Sequence, residues 1–202
     1  MNKLSSAVVM VIIFVTAGCR SEIRPVVYYT LSPMQAALSG KTDMSGNELS
    51  IGVGPVGFPD YLNRPHIATR DDFTKVAYSE THRWAGLPEK LFAGVIAENL
   101  SVSLGTNRIR IYPWDGTFEP RYQVMLEVIR FDGRLGDQAR LNVIWRVIDH
   151  ATSEQPVVRR SVIKEPVVTG GSDGYEALVA ALSRALEQMS RDIVDVIATK
   201  AF

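Results

Sequence analysis

The chain has one cysteine, Cys19, in 202 residues. A single thiol excludes an intramolecular disulfide framework and any Cys-rich zinc site. An excess of either charge is also missing: 22 basic side chains are matched by 22 acidic ones. A balanced chain gives no reason to expect a nucleic-acid partner, which needs a clustered basic surface. The three histidines, His66, His82 and His150, do not have metal-ligand spacing, and neither a metal nor a cofactor is expected. No apolar run reaches the roughly 20 residues that cross a bilayer. Internal repeats and low-complexity segments are absent as well. The rest is ordinary: 46% hydrophobic and 22% charged residues, enough for one domain with a sizeable core.

The longest apolar run lies at the N-terminus. Met1, Asn2 and Lys3 precede residues 4–15, in which Ser5 and Ser6 are the only polar members. Runs of about 10–14 residues fit the core of a signal peptide better than a membrane span. Thr16, Ala17 and Gly18 then lead into Cys19, an arrangement that looks like a bacterial lipobox, although Thr16 stands where Leu is usual. This predicts a lipoprotein signal peptide over residues 1–18, removed before Cys19, and a lipidated tether over residues 19–25. Two or three acyl chains would hold such a protein durably, at about 0.8 kcal/mol per buried CH₂. Arg20 follows the cysteine in place of the Asp that signals inner-membrane retention, so the sorting pattern points to the outer membrane, periplasmic face.

Residues 26–202 read as a single α+β domain. Strands are expected at residues 26–31, 49–56, 73–78 and 108–112, with a flexible loop at 39–48. Tyr122, Val124, Leu126 and Val128 alternate, as do Leu141, Val143, Trp145 and Val147. Asp132-Gly133 and Gly136 between them predict a hairpin, and residues 157–168 form its next antiparallel neighbour. Pro88 opens a helix with Phe92, Ile96, Leu100 and Leu104 on one face, and Gly105 ends it. A longer helix starts with Asp173 as N-cap and Glu176 at N3. Leu178, Leu182, Leu186, Met189, Ile193 and Ile197 form its apolar stripe. The expected architecture is a mostly antiparallel or mixed sheet with two main amphipathic helices packed on one face.

Two motifs resemble catalytic signatures and lack the context these need. Gly52-x-Gly54-x-x-Gly57, with Asp71 and Asp72 downstream, matches a dinucleotide fingerprint, but no helix period follows and Pro55 and Pro59 interrupt. Gly170-x-Ser172-x-Gly174 matches a nucleophile elbow, but all three histidines come earlier in the chain than that hydrolase order requires. No coherent active site emerges, and the chain is not expected to be an enzyme. Residues 58–70, FPDYLNRPHIATR, combine aromatic, basic and proline residues with no strand or helix period. They are either a rigid surface loop pinned by proline or a contact surface, since Tyr and Arg are enriched at interface hot spots. Trp114, in RIYPWDG, poses the same choice between core plug and exposed anchor.

These stretches together resemble the ABC-type transport auxiliary lipoproteins, the PqiC-like family. The resemblance is carried by Tyr28-Tyr29-Thr30-Leu31 after the cysteine, IGVGPVGFPDYLNRPHIATR (residues 51–70), RWAGLPEKL (83–91), YPW (112–114) and the hairpin through Trp145. It covers the mature chain in order. His66 stands where Gln is more usual. The resemblance implies a non-enzymatic outer-membrane subunit of an envelope transport system that moves phospholipid or other hydrophobic cargo between membranes. Its implied partners are a periplasm-spanning MCE-domain protein with its inner-membrane permease, and neighbouring copies in a homo-oligomeric ring. Tyr61, Leu62, Asn63, Arg64, Pro65 and Trp114 are the expected partner-binding residues. The alternative is a periplasmic carrier that holds lipid itself, which needs an apolar cavity between sheet and helices. A third reading, a hydrolase using Ser172, comes from the elbow motif alone.

Overall fold

A computed structural model of the chain describes residues 25–35, 49–71, 74–171 and 173–201. Cys19 with its leader, the 39–48 loop, Asp72, Phe73 and Ser172 lie outside the described residues. Eight strands form one mixed sheet: β1 Val27–Tyr29, β2 Ile51–Gly57, β3 His66–Thr69, β4 Ala77–Trp84, β5 Ile109–Ile111, β6 Tyr122–Gly133, β7 Gln138–Asp149 and β8 Val157–Pro166. Helix α1 spans Pro88–Leu104 and α2 spans Gly174–Ala201. The α+β architecture with a mixed sheet is as expected from the sequence.

Strand β6 organises the sheet. Along one edge it pairs antiparallel with β7, which pairs antiparallel with β8. The other edge is shared. β2 runs parallel to its first half, from Ile51 opposite Tyr122 to Gly57 opposite Glu127, and β3 joins at its far end, Thr69 opposite Gly133. The sheet therefore forks on that side, with β5 beyond β2 and β4 then β1 beyond β3.

The alternation of β6 also breaks. Tyr122, Val124, Leu126 and Val128 face the core, and a strict period of two would send Arg130 and Asp132 after them. A bulge between Val128 and Arg130 shifts the register, an extra residue that re-aims the strand. Phe131 turns inward instead. Its ring lies 5.4 Å from Phe92 of α1 and 6.1 Å from Trp84 of β4, within the range where edge-to-face and offset pairs add stability. Arg130 and Asp132 go to the opposite, helix-free face.

Both helices cover the other face. The stripe Leu178, Leu182, Leu186, Met189, Ile193 of α2 is fully buried, as are Phe92, Ile96, Leu100 and Leu104 of α1. Between the helices, buried Asn99 donates to Ser190 Oγ (3.0 Å) and accepts from the Met34 N–H (2.7 Å), so its amide is satisfied away from water. Helix α1 starts with Pro88 at its first position and ends on Gly105, whose φ of 63° is left-handed, as the sequence predicts.

Two strand assignments change. The strand expected at residues 73–78 begins at Ala77 and runs on to Trp84. Its Ser79, Glu80, Thr81, His82 and Arg83 give no apolar alternation because most of these side chains face solvent or polar neighbours. Strand β3 lies inside residues 58–70, a stretch without a sequence period, and only four residues long.

Gly133 is where β6, β3 and β7 meet. A Cβ there would lie 2.7 Å from the Gln138 carbonyl oxygen, 2.8 Å from Ala139 Cα and 2.6 Å from a Leu178 methyl. Backbone cannot yield as a flexible side chain can. Gly133→Ala should therefore lose about 1–3 kcal/mol in chemical denaturation, the range for overpacking; an unchanged midpoint would contradict this junction.

Candidate partner-binding surface

Residues 58–65 sit in the fork of the sheet, between the end of β2 and the start of β3. A tight turn closes them, with the Leu62 and Asn63 N–H groups donating to the Pro59 carbonyl at 2.9 and 3.0 Å. Phe58 packs edge-on to Phe92 and Phe131, and Leu62 is 4% exposed in the same core. Tyr61 Oη donates to the Ile129 carbonyl at 3.3 Å, at the β6 bulge. Burial, with the Asp132 charge next, raises the Tyr61 pKa above its ordinary value. The segment thus fills the gap left where β2 and β3 diverge from β6.

Asn63 ties this segment to α1. Its amide donates to Glu89 Oε2 (3.0 Å), and its Oδ1 accepts from the Glu89 N–H (3.4 Å). That N–H is one of the orphan donors in the first turn of a helix, and Leu87, the N-cap, offers no side-chain bond. The Asn63 side chain takes the capping role from a distance in sequence.

The remaining residues point outward. Arg64 is exposed, stacks over the Tyr78 ring at 5.6 Å and donates to the Asp60 carbonyl. Pro65 is exposed, and its carbonyl accepts from the Trp84 N–H at 2.7 Å. So Tyr61, Leu62 and Asn63 hold the fold, and Arg64 and Pro65 face solvent.

Trp114 is half-buried on the helix-free face. A Cβ on Gly52 would lie 2.7 Å from the Trp114 ring, so the indole covers a bare patch of β2 that only glycine leaves open. Tyr112 and Phe118 meet it edge-on at 5.5 and 6.0 Å. Tyr112 itself is 53% exposed, and Ile111 and Leu87 are also exposed. A cavity of about 430 Å³ lies between Tyr112, Pro113 and the first turn of α1 at Glu89 and Lys90. Because Asn63 bonds Glu89, the 58–65 segment and the 112–114 stretch flank the same helix start.

The glycines of the dinucleotide-like motif have a structural role, and Ser172 of the elbow-like motif lies outside the described residues. Gly52, Gly54 and Gly57 all lie within β2, and a turn follows instead of a helix. The elbow-like stretch leads into α2, where Asp173 Oδ1 accepts from the Tyr175 N–H at 3.0 Å, the cap expected from the sequence. Asp173 Oδ2 meets His82 Nε2 at 2.9 Å, and that imidazole stacks on Tyr175 with centroids 4.1 Å apart. Sequence reasoning missed this cluster because β4 and α2 are about ninety residues apart. Among the described residues, no three His, Cys, Asp or Glu side chains could hold a metal ion, and no helix is long and apolar enough to cross a membrane.

A family model for the ABC-type transport auxiliary lipoprotein component matches residues 29–194. The chain belongs to this family. Its members are auxiliary transport components and lipoproteins, which implies a membrane-anchored place in the cell envelope; the family description names no reaction. No curated protein matches the sequence. Among solved structures, the fold is similar to that of an uncharacterized protein at 18% identity, covering 86% of this chain and 99% of the other, with a TM-score of 0.68. It is also similar to a Xanthomonas campestris protein of the DUF330 family model, at 14% identity, 83% and 92% coverage and a TM-score of 0.64.

The Tyr175 N–H, then His82, hold the Asp173 carboxyl below its ordinary value, against an opposing push from burial. The folded state thus binds this proton more weakly than the unfolded chain. The carboxylate's stabilisation is complete above the unfolded pKa and is lost as pH falls through the folded one. Asp173→Ala should cost about 0.5–2 kcal/mol near neutral pH, the range for an N-cap. The gap from the parent should narrow as pH falls through and below the ordinary carboxylate range. Denaturation curves at several pH values check this, and a gap independent of pH would contradict it.

Proposed function

We propose that this lipoprotein is the outer-membrane end of an MCE-type envelope transport system, docking the periplasm-spanning MCE-domain protein for lipid transfer between membranes. In this reading Cys19 carries the acyl chains, residues 1–18 are the cleaved signal, and residues 26–202 are the docking domain on the periplasmic face. The observation that carries it is the pairing of Arg64 and Pro65 with Ile111, Tyr112 and Leu87 around the start of α1: exposed aromatic, aliphatic and cationic groups on a rigid base. Such mixtures form interface hot spots. Tyr61, Leu62 and Asn63 contribute by holding that base, and Trp114 by fixing Tyr112 edge-on.

A scaffold is supported over a lipid carrier by the packing between the helices and the middle of the sheet. Phe92, Ile96, Leu141, Trp145 and Leu182 are all buried there to within a few per cent, where a carrier needs an apolar cavity. The cavity of about 430 Å³ between β2 and the start of α1 lies instead beside exposed Ile111 and Tyr112, on the docking surface. Self-association around a symmetric partner is supported by the sheet's outermost strands, β1, β5 and β8, each with one edge unpaired among the described residues, since free edges are templates for another chain.

Photo-crosslinking in intact envelopes tests the reading. A crosslinker placed at Arg64 or at Tyr112 should capture an MCE-domain protein, one at exposed Arg159 on β8 should not, and Cys19→Ala should abolish capture. Equal capture from all three positions, or capture indifferent to Cys19, would contradict it.

A further inference from the structure

The bulge in β6 has a second product at the hairpin end of the helix-free face. Asp132 arrives there with a side chain that is 0% exposed. A carboxylate so buried requires partners, and two arginines supply them: Arg70 Nε at 3.1 Å on one oxygen and Arg130 Nε at 2.7 Å on the other. Both guanidinium groups are thereby fixed in the wall of a cavity of about 160 Å³, which Arg134 and Arg140 also line. Asp71, Asp137 and Gln138 complete its lining, and Lys164 is the cross-strand neighbour of Arg140.

Four guanidinium groups and the carboxylates of Asp71 and Asp137 line the cavity among the described residues, and a third carboxylate, Asp132, is shared between two of the arginines. Among the described residues, the side chains of Arg134 and Arg140 make no hydrogen bond or ion pair, and Arg130 uses only its Nε. Arg130, Arg134 and Arg140 thus keep N–H donors in a planar fork that matches tetrahedral oxyanions bidentately. A buried acid beneath them supplies the preorganisation that a lone surface arginine lacks.

We infer that the cavity lined by Arg70, Arg130, Arg134 and Arg140 binds a phosphate group. The position favours a phosphate at a membrane surface. Strand β1 pairs in parallel with His82–Trp84, the far part of β4, so the chain before Val27 leads back towards the sheet end where Thr69 meets Gly133. Cys19 is six residues before Pro25, a reach of roughly 20 Å when extended. A lipid head group and soluble phosphate share the chemistry, and the experiment separates them. The site is distinct from the docking surface, because neither Arg64 nor Tyr112 lines it.

Isothermal titration of the full chain in a nonionic detergent provides the test. The probes are dihexanoyl phosphatidylglycerol below its micellar concentration, inorganic phosphate, and a dihexanoyl glyceride without phosphate. The phosphate-bearing lipid should bind and the glyceride should not. Combined Arg134→Ala and Arg140→Ala should weaken binding by about tenfold or more, the effect of losing charge-assisted bonds, with thermal unfolding unchanged. Arg159→Ala should have no effect. Asp137→Asn should tighten binding, an outcome that misfolding cannot imitate. Equal affinity for inorganic phosphate would assign the site to soluble phosphate, and binding of the lipid alone would assign it to a head group. Failure of both phosphate probes, unaltered affinity in the double variant, or equal binding of the glyceride would overturn the inference.

Discussion

The rest of the structure depends on how β6 shares one edge between two strands. A twelve-residue strand has more backbone donors and acceptors on that edge than the seven-residue β2 can pair, and β3 reaches only the far end. The intervening edge cannot be left bare in the core, since unpaired buried backbone costs as much as a lost hydrogen bond. Residues 58–65 meet that requirement with side chains: Tyr61 on the Ile129 carbonyl, Leu62 and Phe58 in the apolar space. The bulge beside them sends Phe131 to the core and Asp132 to the arginines. One local irregularity thereby shapes the loop, the aromatic cluster and the charged cavity.

This dual use explains why residues 58–65 have no secondary-structure period. The inward residues answer to the geometry of the fork, and the outward ones, Arg64 and Pro65, lie at the surface. A rigid base under an exposed tip reduces the ordering cost of association. The 112–114 stretch works similarly, with Trp114 locked over Gly52 and Tyr112 left exposed.

The sequence shows much of the fold directly. The hairpin of β6 and β7, the stripe of α2, Pro88 and Gly105 at the ends of α1, and the Asp173 cap all follow from periods and end signals that are local. Misplaced features are those decided by distant partners. The polar run of β4 is a strand only because β1 and β3 flank it, and the bulge at Val128–Arg130 interrupts an alternation that otherwise continues on paper. The candidate surface was half legible: residue types singled out 61–65 and Trp114, but nothing local distinguishes Leu62, which is buried, from Arg64, which is not. The Asp132 pair with Arg70 spans about sixty residues and leaves no sequence mark.

The central claim is that residues 58–65 are part of the core on one side and surface on the other. Comparing the unfolding free energies of Leu62→Ala and Arg64→Ala tests it most directly. The account predicts a loss of about 2–5 kcal/mol for Leu62→Ala, as for a buried leucine, and a change within about 0.5 kcal/mol for Arg64→Ala. Equal, small effects from both would show that the segment is merely a surface loop and would contradict it.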